Sequence, residues 1–302
     1  MINYEKFFNN EAEMKDFILL CEDNYKAQII DTAEKISSDK NIRFIMLSGP
    51  SCSGKTTTAA ILFKELAKYG KQAEVVSIDD FYRDRIKDEP KPDFESAAAI
   101  DLEYFGKCVA ELTGGREAQL PTFDFSTETR SGYHPHRLAE NEIIVFEGIQ
   151  AMYPEILCHI PNEKRKTIYI SVSEDVMAYG HYFSGRDIRF VRRLVRDYKF
   201  RSSSPARTIG LWDDVVANEE KVIIPEGKKA DFVINSLMLY EINVMKNYIL
   251  ESINYDLCNK DEFRIFEELK QRYENVPEMP SHLIPGDSVF REFIGKDNTF
   301  QL

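Results

Sequence analysis

The chain has 302 residues, 43% of them hydrophobic and 30% charged, with 14 Gly and 12 Pro. That length buries a sizeable core without covalent staples, and the composition excludes a collagen-like or low-complexity chain. Lys and Arg number 39 against 51 Asp and Glu, a net charge of -12, which argues against non-specific binding to nucleic acid, whose phosphates select a basic footprint.

The N-terminal stretch MINYEKFFNNEAEMKDF is acidic and polar and lacks the basic start and apolar centre of a signal peptide. Residues 1–21 show little periodicity and read as a loosely packed lead-in. Residues 25–36 space Ala27, Ile30, Ala33 and Ile36 at helical intervals. The apolar run 43–48 ends at Gly49-Pro50 and reads as a buried strand. A helix is predicted over 55–69, with Ala59, Leu62, Phe63, Leu66 and Ala67 on one face and Gly70 as its stop. Further strands are predicted at 74–78, 143–147, 167–172 and 232–235. Apolar strands alternating with helices imply a parallel sheet covered on both faces.

Between 185 and 207 stand eight basic and two acidic side chains, a net +6 in an acidic chain. From 238 to about 274 the pattern is helical, with Met238, Ile242, Met245 and Ile249 on one face. The proline-containing tail from Val276 to Gly295 reads as an ordered segment lying on the body. No run approaches the ~20 apolar residues of a membrane span, so a cytoplasmic protein is expected. The five cysteines (21, 52, 108, 158 and 258) include no CxxC pair, so they read as buried thiols rather than a zinc site or disulfide framework.

Residues 49–56 are Gly-Pro-Ser-Cys-Ser-Gly-Lys-Thr, which matches G-x-x-x-x-G-K-[ST], the phosphate-binding loop. Gly49 and Gly54 permit the turns that aim backbone N–H groups at phosphate oxygens, and the helix that follows adds the positive end of its dipole. Lys55 is placed to reach the terminal phosphates, and the Thr56 hydroxyl to bind Mg²⁺. Ser51, Ser53 and Thr57 complete the expected cofactor-binding stretch for ATP. The predicted second strand runs into Ser77-Ile78-Asp79-Asp80-Phe81-Tyr82. A carboxylate at the carboxyl end of a parallel strand, beside a phosphate loop, can take the proton of an attacking hydroxyl. On spacing alone, capping of the next helix by Asp79 or Asp80 is an equal reading.

With the phosphate loop, that Ser-Ile-Asp-Asp-Phe-Tyr string, Pro121-Thr122-Phe123-Asp124-Phe125, Phe146-Glu147-Gly148 and Arg192-Arg193-Leu194-Val195-Arg196-Asp197 in this order, residues 40–240 resemble the uridine kinase and phosphoribulokinase family. The strings Trp212-Asp213-Asp214-Val215, Ala230-Asp231-Phe232, Asn235-Ser236, Tyr240-Glu241 and Arg291-Glu292-Phe293-Ile294-Gly295 are similar to bacterial uridine-kinase-like nucleoside kinases. In many of those a TGS module precedes the kinase; here only about 40 residues precede the first strand, so the module is expected to be absent.

The resemblance implies a P-loop α/β fold with a five-stranded parallel sheet and an Arg-rich lid over about 185–210. It divides the chain into a lead-in and helix (1–40), a kinase domain (41–240) and a C-terminal helical extension packed on it (241–302). It implies Asp79 as catalytic base, and Thr56 and Glu147 as Mg²⁺ positions. Arg193, Arg196 and Arg201 fall in the lid over the phosphates. Tyr82, Glu95, Phe123, Glu128 and Arg130 fall on the acceptor side.

Uridine-cytidine kinases carry Tyr and His where this chain has Phe123 and Glu128, and Asp where it has Glu95. Ser202 and Ser203 stand where Gly and Arg are common. The expected activity is transfer of the ATP γ-phosphoryl group to the 5′-hydroxyl of a small-molecule nucleoside, with homo-oligomers allowed. A kinase of another small hydroxyl metabolite and a non-catalytic nucleotide-binding regulatory module stay open as alternatives. His134 and His136, two apart around Pro135, give weak support for a metal, and a loop or pocket role is the simpler reading. Trp212 reads as packing.

Overall fold

The computed structural model describes residues 1–86, 93–252 and 259–295. In chain order the elements are β1 (Ile2–Tyr4), α1 (Glu11–Ser38), β2 (Phe44–Ser48), α2 (Lys55–Lys68), β3 (Gln72–Ser77), α3 (Leu102–Thr113), β4 (Glu117–Asp124), β5 (Thr129–Arg137), β6 (Glu142–Glu147), α4 (Pro154–Leu157), β7 (Arg165–Ser171), β8 (Val176–Ala178), β9 (His181–Phe183), α5 (Gly185–Phe200), α6 (Pro205–Gly210), α7 (Trp212–Asn218), α8 (Ile224–Gly227), β10 (Phe232–Asn235), α9 (Glu241–Ser252), α10 (Lys260–Glu274) and α11 (Arg291–Ile294).

The five strands anticipated from apolar runs form one parallel sheet in the order β10-β7-β2-β6-β3. Alternation sorts its side chains onto two cores. Ile45, Leu47, Ile143 and Val145 pack with α1, α2, α5, α9 and the tail. Phe44, Met46, Ile144 and Phe146 pack with α3 and the β4–β5 hairpin. β2 lies in the middle, so the loop after it opens at the centre of the sheet's carboxyl edge, where ligands of such sheets bind.

Four features differ from the sequence reading. The helix predicted over 25–36 begins at Glu11, where the Asn10 side chain accepts the Glu13 N–H at 3.0 Å. Phe17, Ile18 and Cys21 are buried and β1 pairs in parallel with β8, so residues 1–21 are not a loose lead-in. The β4–β5 hairpin and the short β8–β9 pair were not predicted: β5 is largely exposed, and β4, β8 and β9 alternate buried with exposed residues over stretches that contain no apolar run. The tail is core rather than covering: Val276, Val289, Phe290 and Phe293 are fully buried. Of the cysteines, 21, 52 and 108 are buried and Cys158 is exposed. Cys258, and the part of the expected 238–274 helical stretch at 253–258, lie outside the described residues.

Candidate active site

The phosphate loop joins β2 to α2. Gly54 has φ +92, and a Cβ at Gly49 would fall 2.0 Å from the Ile170 carbonyl oxygen, so both glycines are required by geometry. The Lys55 ammonium donates to the carbonyls of Gly49 (3.0 Å) and Pro50 (3.2 Å), which keeps it folded over the loop.

Two arginines of α5 hold the loop from beneath. Arg189 donates to the Ser51 carbonyl at 3.1 Å and Arg192 to that of Cys52 at 3.2 Å. Each is pinned by a carboxylate: Arg189 by Glu219 through two 2.7 Å bonds, Arg192 by Glu241 at 2.6 and 2.7 Å. Arg192 is fully buried and also donates to the Ser236 carbonyl, so the pair has the supplementary hydrogen bonds that an ion pair away from water needs. Fixing these loop carbonyls from below restricts the peptide planes that carry the N–H groups above. The sequence showed Arg189 only within a basic run and Arg192 within that run and a family string; their roles are set by Glu219 and Glu241, 30 and 49 residues away.

The expected lid therefore divides. Its first half is a packed helix with Ile188, Val191, Leu194 and Val195 in the core. The second set of arginines faces upward. Arg193, Arg196 and Arg201 gather around Asp197 at 3.4, 2.7 and 3.7 Å, and Arg193 also donates to the Ser51 hydroxyl at 3.3 Å.

These three arginines, Ser51, Gly54, Lys55 and Thr56 line a cavity of about 320 Å³ together with Asp79, Tyr82, Glu95 and Glu147. Asp79 stands in the single turn that follows β3. That turn is capped by Ser77, whose hydroxyl accepts the Asp79 N–H at 3.3 Å, so neither aspartate serves as cap. Asp80 instead accepts the Phe123 N–H at 2.9 Å and ties the hairpin to the sheet. Burial pushes the Asp79 carboxyl up from its ordinary value, and Lys55 opposes that shift. Burial likewise pushes Glu147 up to about 7, with Lys55 opposing and the charges of Asp79 and Glu292 adding to the rise.

On the acceptor side the Glu95 carboxyl is raised by burial and accepts from Asn218 at 3.1 Å. Phe94 and Phe125 supply flat apolar walls. The Tyr82 hydroxyl donates to the Phe94 carbonyl at 2.6 Å. Phe123 is buried behind this wall, edge-on to Tyr82 at 5.5 Å and to Phe125 at 5.3 Å.

A profile of the Phosphoribulokinase / Uridine kinase family matches residues 44–243, the stretch that holds the sheet and every cavity residue except Glu292. The chain belongs to that family. A uridine kinase of Schizosaccharomyces pombe is 24% identical over 282 residues, covering 86% of this chain and 56% of that protein. Uridine-cytidine kinase A of Dictyostelium discoideum is 28% identical over 215 residues, covering 70% and 40%. A uridine kinase of Lactobacillus helveticus is 26% identical over 208 residues, covering 64% and 90%. The chain thus spans about half the length of the first two.

Within this member of the family, the cavity collects Asp79, Lys55, Thr56, Glu147, Arg193, Arg196, Arg201, Tyr82, Glu95, Ser51 and Gly54 from the sequence-predicted set. Gly49, Ser53 and Thr57 belong to the loop and its helix without lining the cavity. Glu128 and Arg130, expected on the acceptor side, are held elsewhere. Glu128 pairs with Arg85 at 2.6 Å, and Arg130 pairs with Asp101 at 2.8 Å and donates to the Tyr82 carbonyl. With Phe123 they brace the wall from outside.

Glu292 is a cavity residue that sequence reasoning did not assign. It lines the same cavity as Glu147 and accepts the Thr57 hydroxyl at 3.0 Å. The only signal for it was its place in the tail string. The hydroxyl of Thr56 and the carboxylate of Glu147 are hard oxygen donors. Four carboxylates (Asp79, Glu95, Glu147 and Glu292) line this cavity, and the pairing of Thr56 with Glu147 beside the phosphate loop fits Mg²⁺.

Proposed function

We propose that this chain is an ATP-dependent kinase that transfers the γ-phosphoryl group to the 5′-hydroxyl of a nucleoside of the uridine or cytidine kind. The observation that carries the reading is that Asp79 and the phosphate loop face one cavity. A carboxylate there is within reach of a hydroxyl presented to the terminal phosphate, and a carboxyl raised by its surroundings is a better base near neutral pH. Phe94 and Phe125 offer faces on which a base can stack, and Glu95, steadied by Asn218, is an acceptor for sugar hydroxyls.

In this mechanism Asp79 takes the proton of the attacking hydroxyl on a carboxylate oxygen. Lys55 exchanges the loop carbonyls for phosphate oxygens. Arg193, Arg196 and Arg201 lie where charge develops on the transferred group, and guanidinium forks suit its oxygens. Thr56 and Glu147 would hold Mg²⁺, which supplies screening of the phosphate charge.

The test is ADP release with a panel of nucleosides and non-nucleoside alcohols, for wild type and Asp79→Asn. Turnover with pyrimidine nucleosides is expected. Asp79→Asn should lower kcat about 10²-fold or more while nucleotide affinity changes little, the scale of general-base loss. Turnover with a non-nucleoside alone, or ATP binding with no acceptor-dependent turnover, overturns the proposal.

A further inference from the structure

We propose that Glu74, His136 and Glu142 form a binding site for a divalent metal of the zinc type, separate from the phosphate cavity. Gln72 pairs with Glu142 and Glu74 with Ile144 across β3 and β6, so both carboxylates rise from the same face of the sheet, two residues apart. β5 lays His136 over that face. One ligand atom from each side chain lies within 4.8 Å of the other two.

The separation of His136 Nε2 from Glu142 Oε1 is 3.2 Å. Zinc bonds of about 2.0–2.2 Å in tetrahedral arrangement place neighbouring ligand atoms roughly 3.3–3.5 Å apart, so this edge is already formed. A second observation is independent of spacing. The His136 Nε2 atom is buried and makes no hydrogen bond among the described residues. The 3.2 Å contact with Glu142 is a charge pairing only when the ring is protonated.

The rest of the shell is arranged to leave the carboxylates available. Glu142 is buried, and its other oxygen accepts the Ala139 N–H at 2.8 Å, which fixes the carboxylate plane as outer-shell bonds do in metal sites. The nearby Arg43 guanidinium bonds the main-chain carbonyls of Ala139 and Glu142 rather than the carboxylate. Two carboxylates and a neutral imidazole carry a charge of -2, and the imidazole selects a borderline first-row ion over Mg²⁺ or Ca²⁺. Three protein ligands leave a fourth position for water beside the half-buried Glu74. Glu142 opens β6 and Glu147 closes it, a separation of roughly 17 Å at strand rise. A metal here staples the β4–β5 hairpin, and through it the wall of the acceptor side, to the sheet. The competing arrangement is a protonated His136 between two carboxylates.

The test uses tag-free, metal-stripped full chain titrated with Co²⁺ as spectroscopic probe and with Zn²⁺ by calorimetry and thermal shift. One equivalent of Co²⁺ should develop the intense visible absorption of a four-coordinate ion, and Zn²⁺ should raise Tm. Glu74→Gln, at a partly exposed position, should weaken binding at least tenfold, and His136→Ala should abolish it. His134→Ala and Glu147→Gln should leave the band unchanged. No band, a band that survives His136→Ala, or one lost with Glu147→Gln but not with Glu74→Gln overturns the proposal.

Discussion

The hydroxyl of Thr57 donates a 3.0 Å hydrogen bond to the carboxylate of Glu292, and this joins the first turn of the phosphate-loop helix to the C-terminal tail. A tail carboxylate beside the cradle repels the phosphates that the cradle attracts. Glu292→Gln keeps an acceptor for Thr57 and removes the charge. ADP affinity measured by calorimetry should then tighten about fivefold, ~1 kcal/mol for a partly screened charge at this range. Equal or weaker affinity contradicts this.

The Arg192–Glu241 pair is buried and holds the Cys52 carbonyl. Arg192→Met strands the Glu241 carboxylate away from water and should cost about 3–5 kcal/mol in urea unfolding. Adding Glu241→Leu should restore a substantial part of that loss. If the double variant is no more stable than the single, the unpaired charge is not the source of the damage.

The adjacent aspartates should separate kinetically. Asp80→Ala frees the Phe123 N–H and loosens the hairpin that backs the aromatic wall. It should raise KM for the acceptor several-fold and leave kcat within about twofold, the signature of lost ground-state binding. A kcat loss on the scale of Asp79→Asn would show that the two residues share the chemistry.

Glu22 sets a pH dependence of stability. One of its oxygens accepts from Tyr240 at 2.6 Å and Ser288 at 2.5 Å; the other is buried with no hydrogen-bond partner among the described residues. Burial raises its carboxyl, with the two hydrogen bonds pulling back. The folded chain then holds this proton more firmly than the unfolded chain, whose value is about 4.3. The resulting stabilisation is present below that pH and disappears as pH rises through the folded value. The urea midpoint of wild type should therefore fall relative to Glu22→Gln on going from pH ~4 to neutrality. Parallel profiles would contradict it.

Local pattern made the central sheet legible: β2, β6 and β7 are short apolar runs buried on both faces, and the edge strands β3 and β10, though more exposed, keep short apolar runs of their own. The phosphate loop was legible because its chemistry is written in consecutive residues. The β4–β5 hairpin was not, because Thr129–Arg137 exposes most of its side chains and carries no apolar period. α1 was half seen because Leu19, Leu20 and Ile30 are exposed while Ile18 and Ile29 are buried, which blurs its apolar stripe. Glu292 and the clamping roles of Arg189 and Arg192 depend on partners far along the chain, which no spacing rule reaches. Phe123 was placed on the acceptor side by family position; its burial behind Tyr82 and Phe125 is a matter of packing.

Trp212 is the single tryptophan of the chain. Its ring lies 5.2 Å from Phe190 and about 6 Å from the guanidinium groups of Arg189 and Arg193. Intrinsic fluorescence excited at the indole therefore originates from one place, beside the helix whose arginines grip the loop from below and reach into the cavity from above. The unlabelled protein carries its own optical gauge of that helix, and nucleotide titrations or stopped-flow mixing can be followed through it without a dye.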